Sequence, residues 1–144
     1  TPSPHAPPEL YLCPSPSSEE TELKFRTMEK MLMKISDYSA QKERPIVFVL
    51  APSIIQVEEE KWNAQLSALN KDPKDYDRTL PNERLVQYAL QHDLDMLDLL
   101  PLLHTAHQNG ETLYFPKEQH WNQNGNQVVA EILEKYLRAL GLVE

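Results

Sequence analysis

The alternation of apolar and polar positions divides the chain into a few clear elements. Behind the acidic cluster Glu19, Glu20 and Glu22, the residues Leu23, Thr27, Met31, Ile35 and Tyr38 recur at helical spacing. That pattern predicts an amphipathic helix over 19–40, with this stripe and the methionines Met28, Met31 and Met33 packed in a core. Pro45 to Leu50 is a short, uninterrupted apolar run rich in β-branched residues, the pattern of a central strand covered on both faces of a parallel sheet. It breaks at Ala51-Pro52-Ser53. From Glu58 to Leu69 the spacing of Trp62, Leu66 and Leu69 predicts a second helix, and the polar stretch Asn70 to Asp77 predicts a loop. Pro81 behind Thr79 opens a third helix, whose apolar face is Leu85, Val86, Ala89 and Leu90 and which ends near His92. Leu94 to Asp98 reads as a second strand. Leu99 to Gln108 reads as a short helix stopped at Asn109-Gly110, and Thr112 to Phe115 as a brief extended segment. Val128, Val129, Ile132, Leu133, Tyr136, Leu137 and Leu140 then form one stripe, predicting a long closing helix N-capped by Asn122 or Asn124. Helices alternating with two strands define an α/β chain.

Composition narrows the function classes. A length of 144 residues fits one core. The net charge of -8, with 14 basic against 22 acidic residues, argues against a nucleic-acid binder, because a phosphate backbone is held by Lys and Arg. No apolar run is long enough to span a bilayer, and no signal-peptide pattern opens the chain. The single cysteine, Cys13, excludes an internal disulfide and reads as an idle thiol near a flexible end. Residues 1–18 contain six of the 12 prolines and are expected to form a Pro/Ser-rich extended arm, with the α/β domain over 19–144. Because the chain begins at Thr1 and not at a methionine, further sequence upstream is expected.

The chemistry concentrates in Glu118-Gln119-His120-Trp121-Asn122, an acid two residues before a histidine on a loop leading into the last helix. An acid so placed can orient an imidazole as a general base. The structural alternative is a loop histidine held by a neighbouring acid. Ser53 follows the first strand, where α/β sheets place ligand loops. It lacks the Gly-x-Ser-x-Gly turn that exposes a nucleophile, so a capping or loop role is expected. His104 and His107 share a helical face but lack a third metal ligand nearby, and solvent-facing histidines are expected. Asp95 and Asp98 flank the second strand and are expected to cap the helix that follows. No metal and no cofactor is implied.

Taken together, the strand ending in Pro52-Ser53, the strand leading into Leu97-Asp98-Leu99-Leu100, and the segments Leu113-Tyr114-Phe115-Pro116 and Glu118-Gln119-His120-Trp121-Asn122 with Gly125 resemble the C-terminal half of an SGNH (GDSL-like) hydrolase. The spacing is most similar to alginate O-acetyltransferase-like members, and the resemblance covers roughly residues 22–140. It implies a partial flavodoxin-like αβα sandwich with a short parallel sheet, His120 as general base, Glu118 as its orienting acid, and Ser53, Trp121 and Asn122 near the substrate. The usual acid in the family is an aspartate, often three residues before the histidine, where this chain has Lys117. No Gly-Asp-Ser or Gly-x-Asn-Asp segment is present, and the only glycines are Gly110, Gly125 and Gly141. The resemblance therefore implies the C-terminal part of a serine esterase or O-acyltransferase whose nucleophile lies outside these residues, acting on a small-molecule or glycan ester. On that reading the chain alone is expected to be inactive. The alternative is a non-catalytic binding or structural α/β domain that retains the acid–histidine loop. Relatives with this spacing imply an exported or envelope-associated protein. Two strands are few for a stable sheet, so the arm, a missing N-terminal half or an oligomeric partner is expected to cover an edge.

Overall fold

A computed structural model describes residues 8–116 and 118–144. Residues 1–7 of the expected arm and Lys117 lie outside the described residues. The chain runs α1 (Glu19–Gln41), β1 (Phe48–Leu50), α2 (Ile54–Val57), α3 (Glu59–Ala68), α4 (Leu80–Gln91), β2 (Met96–Asp98), α5 (Leu100–Gln108) and α6 (Gln123–Ala139), with 3₁₀ turns at Pro8–Leu12 and Pro73–Asp75. β1 and β2 pair in parallel, with Phe48 opposite Met96, Val49 opposite Leu97 and Leu50 opposite Asp98. Among the described residues this is an α/β fold with a short two-stranded parallel sheet, as expected from the sequence.

Local chemistry sets the element ends. Ser18 caps α1, its side chain accepting from the Thr21 amide at 3.1 Å behind three acidic residues in the first turn. With so few glycines, α1, α3 and α4 end through left-handed Glu43, Asn70 and Asp93, each at φ of 51 to 53°. Gly110, at φ 95°, follows α5 as the Asn109-Gly110 stop requires. Asp98 Oδ1 accepts from the Leu100 amide at 3.0 Å and so caps the start of α5.

Around the sheet, Ile54, Ile55, Val57, Trp62, Leu66, Leu97, Leu99, Leu103, Leu113 and Tyr114 form the core, against which α6 lays Val128, Val129, Ile132, Leu133 and Tyr136. The described part of the Pro-rich segment is folded back, not extended. Leu10 is buried in the core from the Pro8–Leu12 turn, and Pro14 bridges Tyr76. Cys13 is fully buried in this core, not an idle thiol at a loose end.

The largest departure from the sequence pattern is in α1. Leu23, Met31, Ile35 and Tyr38 are exposed, and the buried residues are Thr21 and Phe25. Phe25 faces α4, where the Arg84 guanidinium lies 4.3 Å over its ring while Nη1 reaches Glu22 at 2.6 Å and Nε reaches Glu29 at 3.4 Å. The helix is thus seated by a cation–π contact and an ion-pair fork on the side opposite its longest apolar stripe. Met28 and Met33 are half-buried; Met31 is not.

Candidate functional site

The site lies at the carboxyl ends of the strands. β1 ends at Leu50, and the chain turns through Ala51, Pro52 and Ser53 into α2. Ser53 is the N-cap residue of α2. Its amide donates to Gln56 Oε1 at 3.1 Å, one half of the reciprocal capping pattern, while its Oγ is buried with no hydrogen-bond partner.

Tyr114 joins this turn to the acid–histidine loop. Its ring is fully buried, and its hydroxyl donates to Pro52 O at 2.8 Å. The Trp121 side chain also hydrogen-bonds to it; an indole can only donate, so the phenol oxygen accepts there. Burial pushes the Tyr114 phenol up to about 12; the nearby Glu58 charge adds to the rise and the Trp121 bond opposes it. Tyr114 and Trp121 also form an antiparallel bridge, and the loop between them closes through Phe115 N to His120 O at 3.1 Å.

Below this loop, Asn122 caps α6. Its Oδ1 accepts from Gly125 N at 2.8 Å, its Nδ2 donates to Thr112 O at 2.8 Å, and its amide donates to Leu113 O at 2.9 Å. Gly125 is needed here for space, since a Cβ on it would lie 2.1 Å from Leu113 O. Asn122, expected near substrate, has its side-chain amide committed to holding the loop.

A cavity of about 360 Å³ forms between the two segments, lined by Ala51, Pro52, Ser53, Gln56, Gln119, His120 and Trp121. The structure therefore brings Ser53, His120 and Trp121 to one place, and leaves Asn122 to a separate surface depression with Phe115 and Gln123. Glu118 Oε2 lies 3.5 Å from His120 Nδ1, leaving Nε2 as the imidazole atom available to take a proton. Their side chains are 63% and 82% exposed, so this pair contributes little to stability.

A second cavity, of about 280 Å³, shares Gln56 as a wall with the first and is lined by Arg78, Asn82, Asp98 and His104 among others. Gln56 Nε2 donates to Asn82 Oδ1 at 3.0 Å and to Arg78 O at 3.0 Å, and Asn82 Nδ2 donates to Asp98 Oδ1 at 2.6 Å. This chain of amides ties the turn after β1 to the end of β2. The Ser-x-x-Gln spacing of Ser53 and Gln56 is a readable capping signal. Nothing local in the sequence marks Asn82 or Tyr114. The two histidines of α5 are partnered and partly buried, not solvent-facing: His104 Nδ1 meets Val57 O at 2.8 Å, and His107 Nε2 meets Glu60 at 3.2 Å. Since Val57 O can only accept, His104 carries its proton on Nδ1.

A parallel α/β sheet with an acid–histidine loop entering the last helix, beside the turn that leaves a strand, defines the class as SGNH-hydrolase-like. The chain belongs to the family described as the SGNH hydrolase-like domain of acetyltransferase AlgX, whose match covers residues 14–144. No curated protein and no solved structure matches the chain. The family is one of hydrolases and acetyltransferases. Among the described residues, no helix is long and apolar enough to cross a membrane.

Proposed function

We propose that this chain supplies the base side of an SGNH-type acyl-transfer site, with His120 as general base, Glu118 as the acid that orients it, and a serine from another segment as nucleophile. The observation that carries this reading is the shared cavity. His120 and the Pro52-Ser53 turn face the same space, held together by the Tyr114 hydroxyl. The imidazole would take the serine proton at Nε2 as that oxygen attacks an ester carbonyl, and return it to the leaving alkoxide. Glu118 on the Nδ1 side favours the tautomer that does this and stabilises the imidazolium. Ser53 and Trp121 line the space where an acyl or glycan ester would sit.

Ser53 is poorly placed to be the nucleophile itself, because its Oγ is shielded from solvent and no histidine contact reaches it. The exposure of His120 also fits a base awaiting a covering segment, since proton transfer at a serine works best where water is excluded. On this reading residues 19–144 are the C-terminal part of the catalytic domain.

The test is acyl transfer measured on two samples. The 144-residue chain should hydrolyse p-nitrophenyl acetate no faster than its His120→Ala variant and take no fluorophosphonate label. The full natural polypeptide should do both, with His120→Ala lowering turnover by about 10²–10⁴-fold. A fluorophosphonate adduct on Ser53 of the 144-residue chain would overturn the assignment of the nucleophile to another segment. An unlabelled, inactive full polypeptide favours the non-catalytic alternative.

A further inference from the structure

The outward side of α1 joins exposed apolar side chains to unpaired positive charge, in a chain whose net charge is -8. Leu23, Met31, Ile35 and Tyr38 are 43–62% exposed and, with Thr27, fall on one face at helical spacing. Exposed apolar residues scattered singly need no explanation, but a contiguous strip of them marks a contact surface. At about 100° per residue, Lys30 and Lys34 run along one side of this strip, and Lys24 and Lys42 along the other. Residues 24–44 hold six of the chain's 14 basic residues, so this face is positive although the chain is acidic. Between Lys24 and Lys42 the acids are Asp37 and Glu29, and Glu29 is turned to Arg84. Lys24 pairs with Glu20 at 2.8 Å, whereas the side chains of Arg26, Lys30 and Lys34 make no ion pair among the described residues. An exposed ring stands at each end: Lys24 Nζ lies 4.9 Å from the centre of the Tyr11 ring, and Lys42 Nζ lies 5.5 Å from that of Tyr38.

We propose that α1 docks this protein on an anionic lipid surface, lying in its plane with the Leu23–Tyr38 strip at the acyl boundary and the lysines among the headgroups. The strip spans about 22 Å of helix axis. A helix ridge with cations on both sides suits a surface that offers apolar depth along the middle and negative charge along both edges. The lysine stems widen the apolar strip while their ammonium groups rise to the charged layer. Tyrosine, with an apolar ring and a polar tip, fits the boundary between acyl chains and water, and Tyr11 and Tyr38 supply one at each end. The five cations from Lys24 to Lys42 keep α1 on the surface and out of the bilayer interior. The same lipids repel the acidic remainder of the chain, so the protein meets them with α1 first. The inner face of the helix stays in place on docking, because Phe25, Glu22 and Glu29 hold it to Arg84. This contact does not depend on the acyl-transfer reading.

Co-sedimentation with vesicles tests this, using the full natural polypeptide beside the 144-residue chain. Both should pellet with vesicles of phosphatidylcholine and phosphatidylglycerol in equal parts, and stay in solution with phosphatidylcholine alone. Lys30→Gln with Lys34→Gln should weaken binding about tenfold or more, and added salt should weaken it in the wild type. Met31→Glu with Ile35→Glu should abolish binding. All four positions are exposed, so the urea midpoints of both double variants should match the wild type. Equal pelleting with neutral vesicles, no pelleting at all, or binding indifferent to these substitutions overturns the proposal. So does binding by the short chain that the full polypeptide lacks, which would make another part of the same protein the occupant of the strip. A dimer that Met31→Glu with Ile35→Glu converts to a monomer, without vesicle binding by the wild type, makes a second copy the occupant and overturns it equally.

Discussion

Replacing Tyr114 with phenylalanine tests whether one buried hydroxyl holds the acid–histidine loop against the first strand's turn. The ring stays, so packing changes little. The lost oxygen leaves Pro52 O, which belongs to a buried residue, and the Trp121 indole N–H without their partner. An unsatisfied buried polar group costs about 1–3 kcal/mol, and the variant should be destabilised by that amount at pH 8. The pH dependence provides the sharper check. The native phenol is pushed up to about 12 by burial, against about 10 in an unfolded chain. A group raised in the fold stabilises fully below its unfolded pKa, and that stability is lost as pH climbs toward the folded value. Between pH 8 and pH 11.5 the wild type should therefore lose about 2 kcal/mol through Tyr114, a loss that Tyr114→Phe cannot show. The phenol of Tyr136 is also raised by burial, but it titrates in both proteins and cancels in the comparison. Urea unfolding followed by circular dichroism at the two pH values gives the result directly. The stability gap between wild type and variant should shrink by about 2 kcal/mol at the higher pH. A gap unchanged with pH would mean that the phenol is not buried in the fold, and that the loop is not pinned as described.

Two other substitutions probe the framework of the site. Gly125→Ala drives a methyl into Leu113 O and should destabilise by about 1–3 kcal/mol, or displace the start of α6; urea midpoints and Trp121 fluorescence report the two outcomes. Asn82→Ala removes the middle of the Gln56–Asn82–Asp98 chain and should cost about 1–3 kcal/mol, while Gln56→Ala in the same background should add much less than it costs alone. Additive effects would show that the amides do not act as a unit.

The fold was legible where periodicity and punctuation agreed. The predicted helices over 19–40 and near 81–92, both strands and the Asn109-Gly110 stop all appear within a few residues. In α1 the period was right and the buried face was wrong. Counting apolar residues selected Leu23, Met31, Ile35 and Tyr38, but Arg84 of α4 selects the other side by engaging Phe25, Glu22 and Glu29 together. That arginine lies about sixty residues away in sequence, so no local pattern could reveal it. The Arg84 pair lowers the Glu22 carboxyl below its usual range, mainly through the direct hydrogen bond, so its contribution to seating α1 holds at neutral pH and is lost as pH falls through that lowered value.

The candidate site divides in the same way. Glu118 and His120 are two residues apart and readable together, because one loop brings them within 3.5 Å. The contact that gives the loop its place runs from Tyr114 to Pro52, 62 residues apart, and looks in sequence like an ordinary buried tyrosine. Asn122 meets the N-cap expectation: its side chain closes the start of the last helix and holds the 112–114 segment. A motif of this kind mixes residues that face the chemistry with residues that build the turn, and spacing alone does not separate them. Burial and hydrogen-bond satisfaction do. His120 is exposed beside an acid with one ring nitrogen left over, whereas both ends of the Asn122 amide are already matched.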